Sequence, residues 1–158
     1  MFNCLSLKIL QPLHYSTILL NKLAGPGETL KFLVQFIIYV SNQERSRDFY
    51  KHVLQMEPSL DVPGMIEFIL ADKCKLGIMP ERGISKILGD KTPNPSKGNG
   101  IPRCELYLHV ENIEEYFKRA LDAGAKEISP SLKRDWGDTV GYISDPDGHI
   151  LAFAKRIS

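Results

Sequence analysis

Three side chains capable of chemistry stand two residues apart in the stretch Cys104–Val110: Glu105, Tyr107 and His109. Leu106, Leu108 and Val110 alternate with them, so the stretch reads as a strand with one apolar face and one face carrying a carboxylate and two rings. The polar face of such a strand ordinarily meets solvent. A face built of rings and an acid reads instead as the wall of a pocket. A carboxylate in that wall is costly unless something answers its charge. Either Arg103, Arg134 or Gln35 satisfies Glu105 as a polar pair, or Glu105 meets a cationic or hydrogen-bond-donating group of a ligand.

A second constellation is Arg134-Asp-Trp-Gly-Asp138. Trp136, set between a cation and an acid, either covers the mouth of the pocket and stacks on a planar ligand or anchors the sheet edge by packing. Tyr39, Tyr107 and Tyr142 add rings around the pocket, or serve as ordinary strand formers. Other candidates weigh less. His149 follows a turn glycine, where polar residues are common, and His52 falls on the exposed face of a helix. Cys104 faces the apolar side and is expected in the core, while Cys74 sits between Lys73 and Lys75, which favour its thiolate. Gly98-Asn-Gly100 leads into no Gly-Lys-Ser/Thr, and no Gly-x-Ser-x-Gly occurs, so neither a phosphate loop nor a nucleophile elbow is present.

The elements that must position these residues come in a repeated order. A strand over 33–40 carries Gln35, Ile37 and Tyr39 on one face and Phe36, Ile38 and Val40 on the other. Ser41 and Glu44 stand at capping-box spacing, and Phe49, Tyr50, Val53 and Leu54 mark a helix over 43–54. Strand-like runs follow near 57–61, 65–71 and 74–79. After a Gly- and Pro-rich linker with at most one helical turn at 84–88, the order recurs. A strand over 104–110 precedes a helix bearing Ile113, Tyr116, Phe117, Ala120 and Leu121, stopped by Gly124. Strands near 126–129, 138–144 and 149–155 complete it, with Asp145-Pro-Asp-Gly148 as a tight turn. The chain is a β-α-β-β-β unit written twice, an α+β protein whose units must pack together to cover their sheets. The expected division is an N-terminal extension (1–30), a first module (31–80), a linker (81–102) and a second module (103–158).

Bulk properties exclude several classes. A net charge of +1 over 158 residues offers no footprint for nucleic acid or an anionic membrane. No run approaches the roughly 20 apolar residues of a membrane helix. Three scattered cysteines without a Cys-x-x-Cys pair argue for a reducing, cytoplasmic setting and against a zinc or disulfide framework. Before Glu28 there is no acid, but Lys8, Gln11, Pro12 and His14 interrupt any secretory apolar core, and no arginine supports a mitochondrial leader. Residues 1–30 are therefore expected to be an extension upstream of a domain opening near Leu30.

Val40-Ser-Asn with Asp48-Phe-Tyr-Lys-His-Val-Leu resembles the opening of the vicinal oxygen chelate superfamily, which includes glyoxalase I, bleomycin-resistance proteins and extradiol dioxygenases. Trp136-Gly137 and Asp145-Pro-Asp-Gly-His resemble its closing signature, so the likeness spans about 31–156. Gln55 departs from it, standing where the family usually ends its first helix with glycine. The resemblance implies sheets curled around a cup with helices outside, and a homodimer. It places Phe36, Ile38, Leu106 and Leu108 beneath the helices, and Gln35 and Glu105 toward the cup.

Metal-using members carry His, Gln or Glu at inward strand positions, and Gln35 and Glu105 match two of them. Ala152 stands where such relatives have glutamate, and the strand Lys75–Pro80 offers only Leu76, Gly77, Ile78 and Met79. A divalent ion needs about three protein donors. A metal-poor member is therefore expected, with no cofactor. If zinc, nickel, manganese or iron does bind, Gln35, Glu105 and His109 would hold it. The resemblance implies binding or sequestering of a small organic molecule, as in the bleomycin-resistance branch. The contacts would be Gln35, Tyr39, Arg103, Glu105, Tyr107, Arg134 and Trp136. The alternative is a metal-dependent lyase or isomerase of glyoxalase I type, acting like a lactoylglutathione lyase on a thiol-conjugated aldehyde, with no catalytic residue assigned.

Overall fold

The computed structural model describes residues 33–157; the expectation for 1–30 falls outside them. Strand β1 (Val34–Val40) leads into helix α1 (Gln43–Leu54), followed by β2 (Leu60–Val62), β3 (Met65–Ala71) and β4 (Cys74–Pro80). The order returns in β5 (Glu105–His109), α3 (Ile113–Asp122), β6 (Lys126–Lys133), β7 (Asp138–Ser144) and β8 (Ile150–Arg156). Each module forms one four-stranded sheet, ordered β1-β4-β3-β2 and β5-β8-β7-β6. In both, the first strand pairs in parallel with the last, and the remaining pairs are antiparallel. The architecture is α+β, as the repeated pattern requires.

Between the modules the chain is more ordered than its Gly and Pro content suggests. Helix α2 (Glu81–Leu88) begins directly after β4, and two 3-10 turns follow at Gly89–Lys91 and Pro95–Gly98. Ile84 is the buried residue that seats α2, so a single apolar anchor suffices where the sequence suggested at most one turn.

Both long helices start on an asparagine. Asn42 accepts a hydrogen bond from the Arg45 amide and Asn112 one from the Glu115 amide. Ser41, expected to cap α1, is engaged elsewhere. At the C-terminus of α1, Gln55 takes φ 54° and ψ 42°, the left-handed conformation that glycine adopts at low cost.

A single core lies on the helix faces of both sheets. Val40, Ile66, Phe68, Leu76 and Ile78 of the first join Ile143, Leu151 and Phe153 of the second around Phe49, Tyr50, Val53, Ile113 and Ala120. Ile38, Leu106 and Leu108 pack against it as expected, but Phe36 is 59% exposed. Cys104, expected in this core, is also exposed, because β5 begins only at Glu105. On the helix side of β7, a Cβ on Gly141 would fall 2.6 Å from the Phe117 ring, so glycine there admits α3 to the sheet.

Polar contacts lock the modules together at the β7–β8 turn. The buried Asp145 carboxylate accepts from the Tyr50 hydroxyl at 3.0 Å and the Asp147 and His149 amides, and pairs with His149 Nδ1 at 2.9 Å. Asp147 takes the Ser41 amide and hydroxyl, the Ser46 hydroxyl and the Arg45 guanidinium. The second module's turn thus grips the start of the first module's helix. Burial, with the adjacent Asp145 charge and hydrogen bond, pushes the Tyr50 hydroxyl well above its ordinary value. Burial pulls the His149 imidazole down, but the hydrogen bond and charge of Asp145 outweigh it and leave His149 raised.

Candidate functional site

Because strand side chains alternate, each sheet has a second face turned away from the shared core. On the first sheet this open face carries Gln35, Ile37 and Tyr39 from β1, Lys75, Gly77 and Met79 from β4, and Met65, Glu67 and Ile69 from β3. Gln35 reaches from β1 across β4 to β3, where its Nε2 donates to Glu67 Oε1 at 3.0 Å. It passes over Gly77, where a Cβ would lie 2.9 Å from Nε2. Lys75 Nζ holds the other carboxylate oxygen at 2.6 Å. The hydrogen bonds from Lys75 and then Gln35 keep the Glu67 carboxyl below its usual range, against the opposing effect of burial. A carboxylate kept ionised can only accept, which fixes the amide nitrogen of Gln35 toward it.

The second sheet repeats the device with different side chains. Tyr107 extends from β5 across β8 to β7, where its hydroxyl donates to Asp138 Oδ2 at 2.8 Å. It crosses the floor of Ala152 and Ala154, which with Val140 form a small buried cluster beneath Tyr107 and Tyr142. Arg156 binds the second Asp138 oxygen at 2.9 Å. The Tyr107 hydroxyl foremost, with Arg156, holds Asp138 below the usual carboxylate range, while burial raises the Tyr107 hydroxyl. In each half, then, a side chain of the first strand spans a small residue of the last strand to reach a carboxylate on the third. In each, a cation from the last strand answers that carboxylate.

Around Tyr107 the second sheet gathers rings. Trp136 Nε1 donates to the Tyr107 hydroxyl at 3.3 Å, and His109 stands edge-on to the Tyr107 ring at 5.3 Å. Arg134 folds back over Tyr142, its guanidinium carbon 5.4 Å from the ring centre. Trp136 keeps half of its surface exposed. The rings are tilted against one another, Tyr107 and His109 at 63°, and Arg134 borders the group through Tyr142.

The sequence-derived residues divide accordingly. Tyr107, Trp136, Arg134 and His109 come together on the second sheet. Gln35 and half-buried Tyr39 lie on the first sheet's open face, and Arg103 is exposed ahead of β5. Glu105 is exposed at the edge of the second sheet, and among the described residues none of Arg103, Arg134 or Gln35 pairs with it. The pairing expected for Glu105 belongs to Glu67 and Asp138 instead. Asp138 was legible only as a neighbour of Trp136. Glu67 was missed: counting back from the Ala71–Cys74 pair sets it opposite Ile78, and only the register shift between Ile69 and Ala71 brings it opposite Gly77 and diagonal to Lys75.

Gln35, Glu105 and His109, the ligands named for the case that a metal binds, stand apart: Gln35 is bonded to Glu67 on the first sheet, and Glu105 and His109 stand at opposite ends of β5. Among the described residues no group of three His, Cys, Asp or Glu is placed to hold an ion. The well-placed carboxylates, Glu67 and Asp138, already bind ammonium and guanidinium groups, and Tyr107 packs over the floor that contains Ala152. The donor set does not fit a divalent cation.

A family model described as a glyoxalase-like domain matches residues 33–158. The phenazine antibiotic resistance protein EhpR of Enterobacter agglomerans is 29% identical over 139 residues, covering 84% of this chain and 95% of that protein. An uncharacterized protein of Mycobacterium bovis is 32% identical over 80 residues, 51% of this chain; the chain spans about half (52%) of that relative's length. Among solved structures, a glyoxalase-related enzyme from Fulvimarina pelagi superposes with a TM-score of 0.68 at 21% identity, covering 80% of this chain and 89% of that one. A glyoxalase/bleomycin resistance protein/dioxygenase family enzyme from Burkholderia phytofirmans PsJN gives 0.66 at 14% identity, covering 80% and 99%. At these identities the structures attest the fold.

Proposed function

The chain belongs to the glyoxalase-like domain family, and from that premise we propose that it binds and sequesters a planar aromatic small molecule on its open sheet faces, without a metal ion. The observation that carries this reading is Tyr107. Its ring lies over an alanine floor and its hydroxyl is held between Trp136 and Asp138, so an aromatic surface is fixed in place before any ligand arrives. Binding to a prearranged surface avoids the cost of ordering side chains. The relationship to EhpR, named for phenazine resistance, supports a fused aromatic ligand.

In this reading two copies associate so that the open face of one module closes over that of another. Ile37, Leu60, Val62 and Ile69 of the first sheet's open face are exposed, and that apolar surface supports a covering partner. The setting is cytoplasmic. The lyase alternative would need a donor cluster that the described residues lack.

Trp136 is the only tryptophan in the chain, so its fluorescence reports this surface alone. Titration with phenazine in the presence of a chelator is expected to quench it saturably, and Tyr107→Ala to weaken the response by about tenfold or more. No quenching by phenazine or by a broad set of fused aromatic compounds would overturn the reading.

A further inference from the structure

We infer that Arg134 is an anion-binding residue of this surface, and that the ligand is an aromatic acid whose carboxylate lies against the guanidinium while its rings lie over Trp136 and Tyr107. The inference rests on the reading of the second sheet's open face as the binding surface and adds the charge of the ligand to it.

Charge accounting on that face singles out Arg134. Asp138 is answered by Arg156. Arg134 has only neutral acceptors: its Nη2 donates to Ser129 Oγ at 2.8 Å and to the Val140 carbonyl at 3.5 Å. Its Nε is buried with no acceptor. Nη1 likewise has no partner among the described residues. Glu105 does not compensate it, because Glu105 lies on β5 and Ser129 on β6, the opposite edges of the sheet, about 14 Å apart across three strand spacings. Nε is buried and Nη2 is already engaged, so Nη1 is the group left to a ligand. A guanidinium held over the Tyr142 ring with that donor open offers a carboxylate a charge-assisted hydrogen bond. Glu67 and Asp138 are already neutralised, and the remaining acid of this face, Glu105, lies at the far edge of the sheet from Ser129 and its Arg134 partner.

The test compares phenazine-1-carboxylate with phenazine-1-carboxamide, two probes of nearly equal shape, by Trp136 fluorescence at low and moderate salt. The wild-type chain is expected to bind the carboxylate about tenfold more tightly than the carboxamide, with the margin shrinking as salt rises. In Arg134→Gln the two affinities should come within about twofold of each other, while Arg134→Lys keeps part of the margin. A saturable carboxamide titration in Arg134→Gln shows that the variant is folded. Equal wild-type affinities, or a margin unchanged in Arg134→Gln, would overturn the role of Arg134 and leave the aromatic surface standing. Failure of both probes to bind the wild-type chain would overturn both.

Discussion

Gln35 Nε2 meets Glu67 Oε1 at 3.0 Å, and it does so by lying across Gly77 on the strand between them. Tyr107 meets Asp138 in the same manner across Ala152 and Ala154. Each carboxylate is closed off by a cation of the last strand, Lys75 or Arg156. A doubled fold therefore carries a doubled polar device.

Lys75→Met tests the first half. Its loss leaves Glu67 with only Gln35 as a partner, at a cost of about 1–2 kcal/mol near neutral pH. Because the Glu67 carboxyl is depressed in the folded chain, its contribution is present above the unfolded value of 4.5 and lost as pH falls through the folded one. Urea midpoints measured from about pH 3 to 7 should show a shallower decline below pH 4.5 in the variant than in the wild-type chain, because less of the Glu67 depression is left to lose.

Ala152→Glu places a carboxylate in the alanine floor of the second sheet and should create no metal site. Ala152 is fully buried under the tyrosine rings, so a carboxylate there must displace Tyr107 or remain unpaired. The expected loss is about 3 kcal/mol or more by urea unfolding. Zinc added in equimolar amount should not recover it.

His149 makes the junction between modules sensitive to pH. Its imidazole is raised above 6.5 in the folded chain, where it faces Asp145, Asp147 and Glu81. The protonated form therefore stabilises the fold below pH 6.5, and that contribution is lost as pH rises through the folded value. Unfolding followed between about pH 5.5 and 8.5 should show a declining limb that His149→Gln flattens.

Gln55 holds a left-handed backbone at the end of α1. Gln55→Gly should raise stability by about 0.5–1 kcal/mol, a gain of a few degrees in thermal midpoint. An unchanged or lower midpoint would mean that the Gln55 side chain, which donates to the His52 carbonyl, offsets the strain.

The fold was legible because both of its signals are local. Alternation in Gln35–Val40 and Glu105–Val110 fixes which side chains share a face, and the asparagines at 42 and 112 mark the same turn into each helix. Pairings were not legible, since they depend on register between strands. Gln35 and Glu67 are 32 positions apart and Tyr107 and Asp138 are 31, and only the alignment of β4 and β8 brings them together. The turn at Asp145 was visible as a turn. Its hold on Tyr50, 95 positions earlier, follows from the packing of one module on the other. Phe36 and Cys104 were misplaced for a related reason: alternation assigns a face but not whether a helix reaches far enough to cover it.

Metal content measured alongside ligand binding, on one gently purified sample, tests the central claim most directly. The account predicts well under one zinc, nickel, manganese or iron ion per chain after dialysis, and the same affinity for phenazine-1-carboxylate with and without chelator. A stoichiometric ion that survives dialysis, is lost in Glu105→Ala and is required for binding would contradict it.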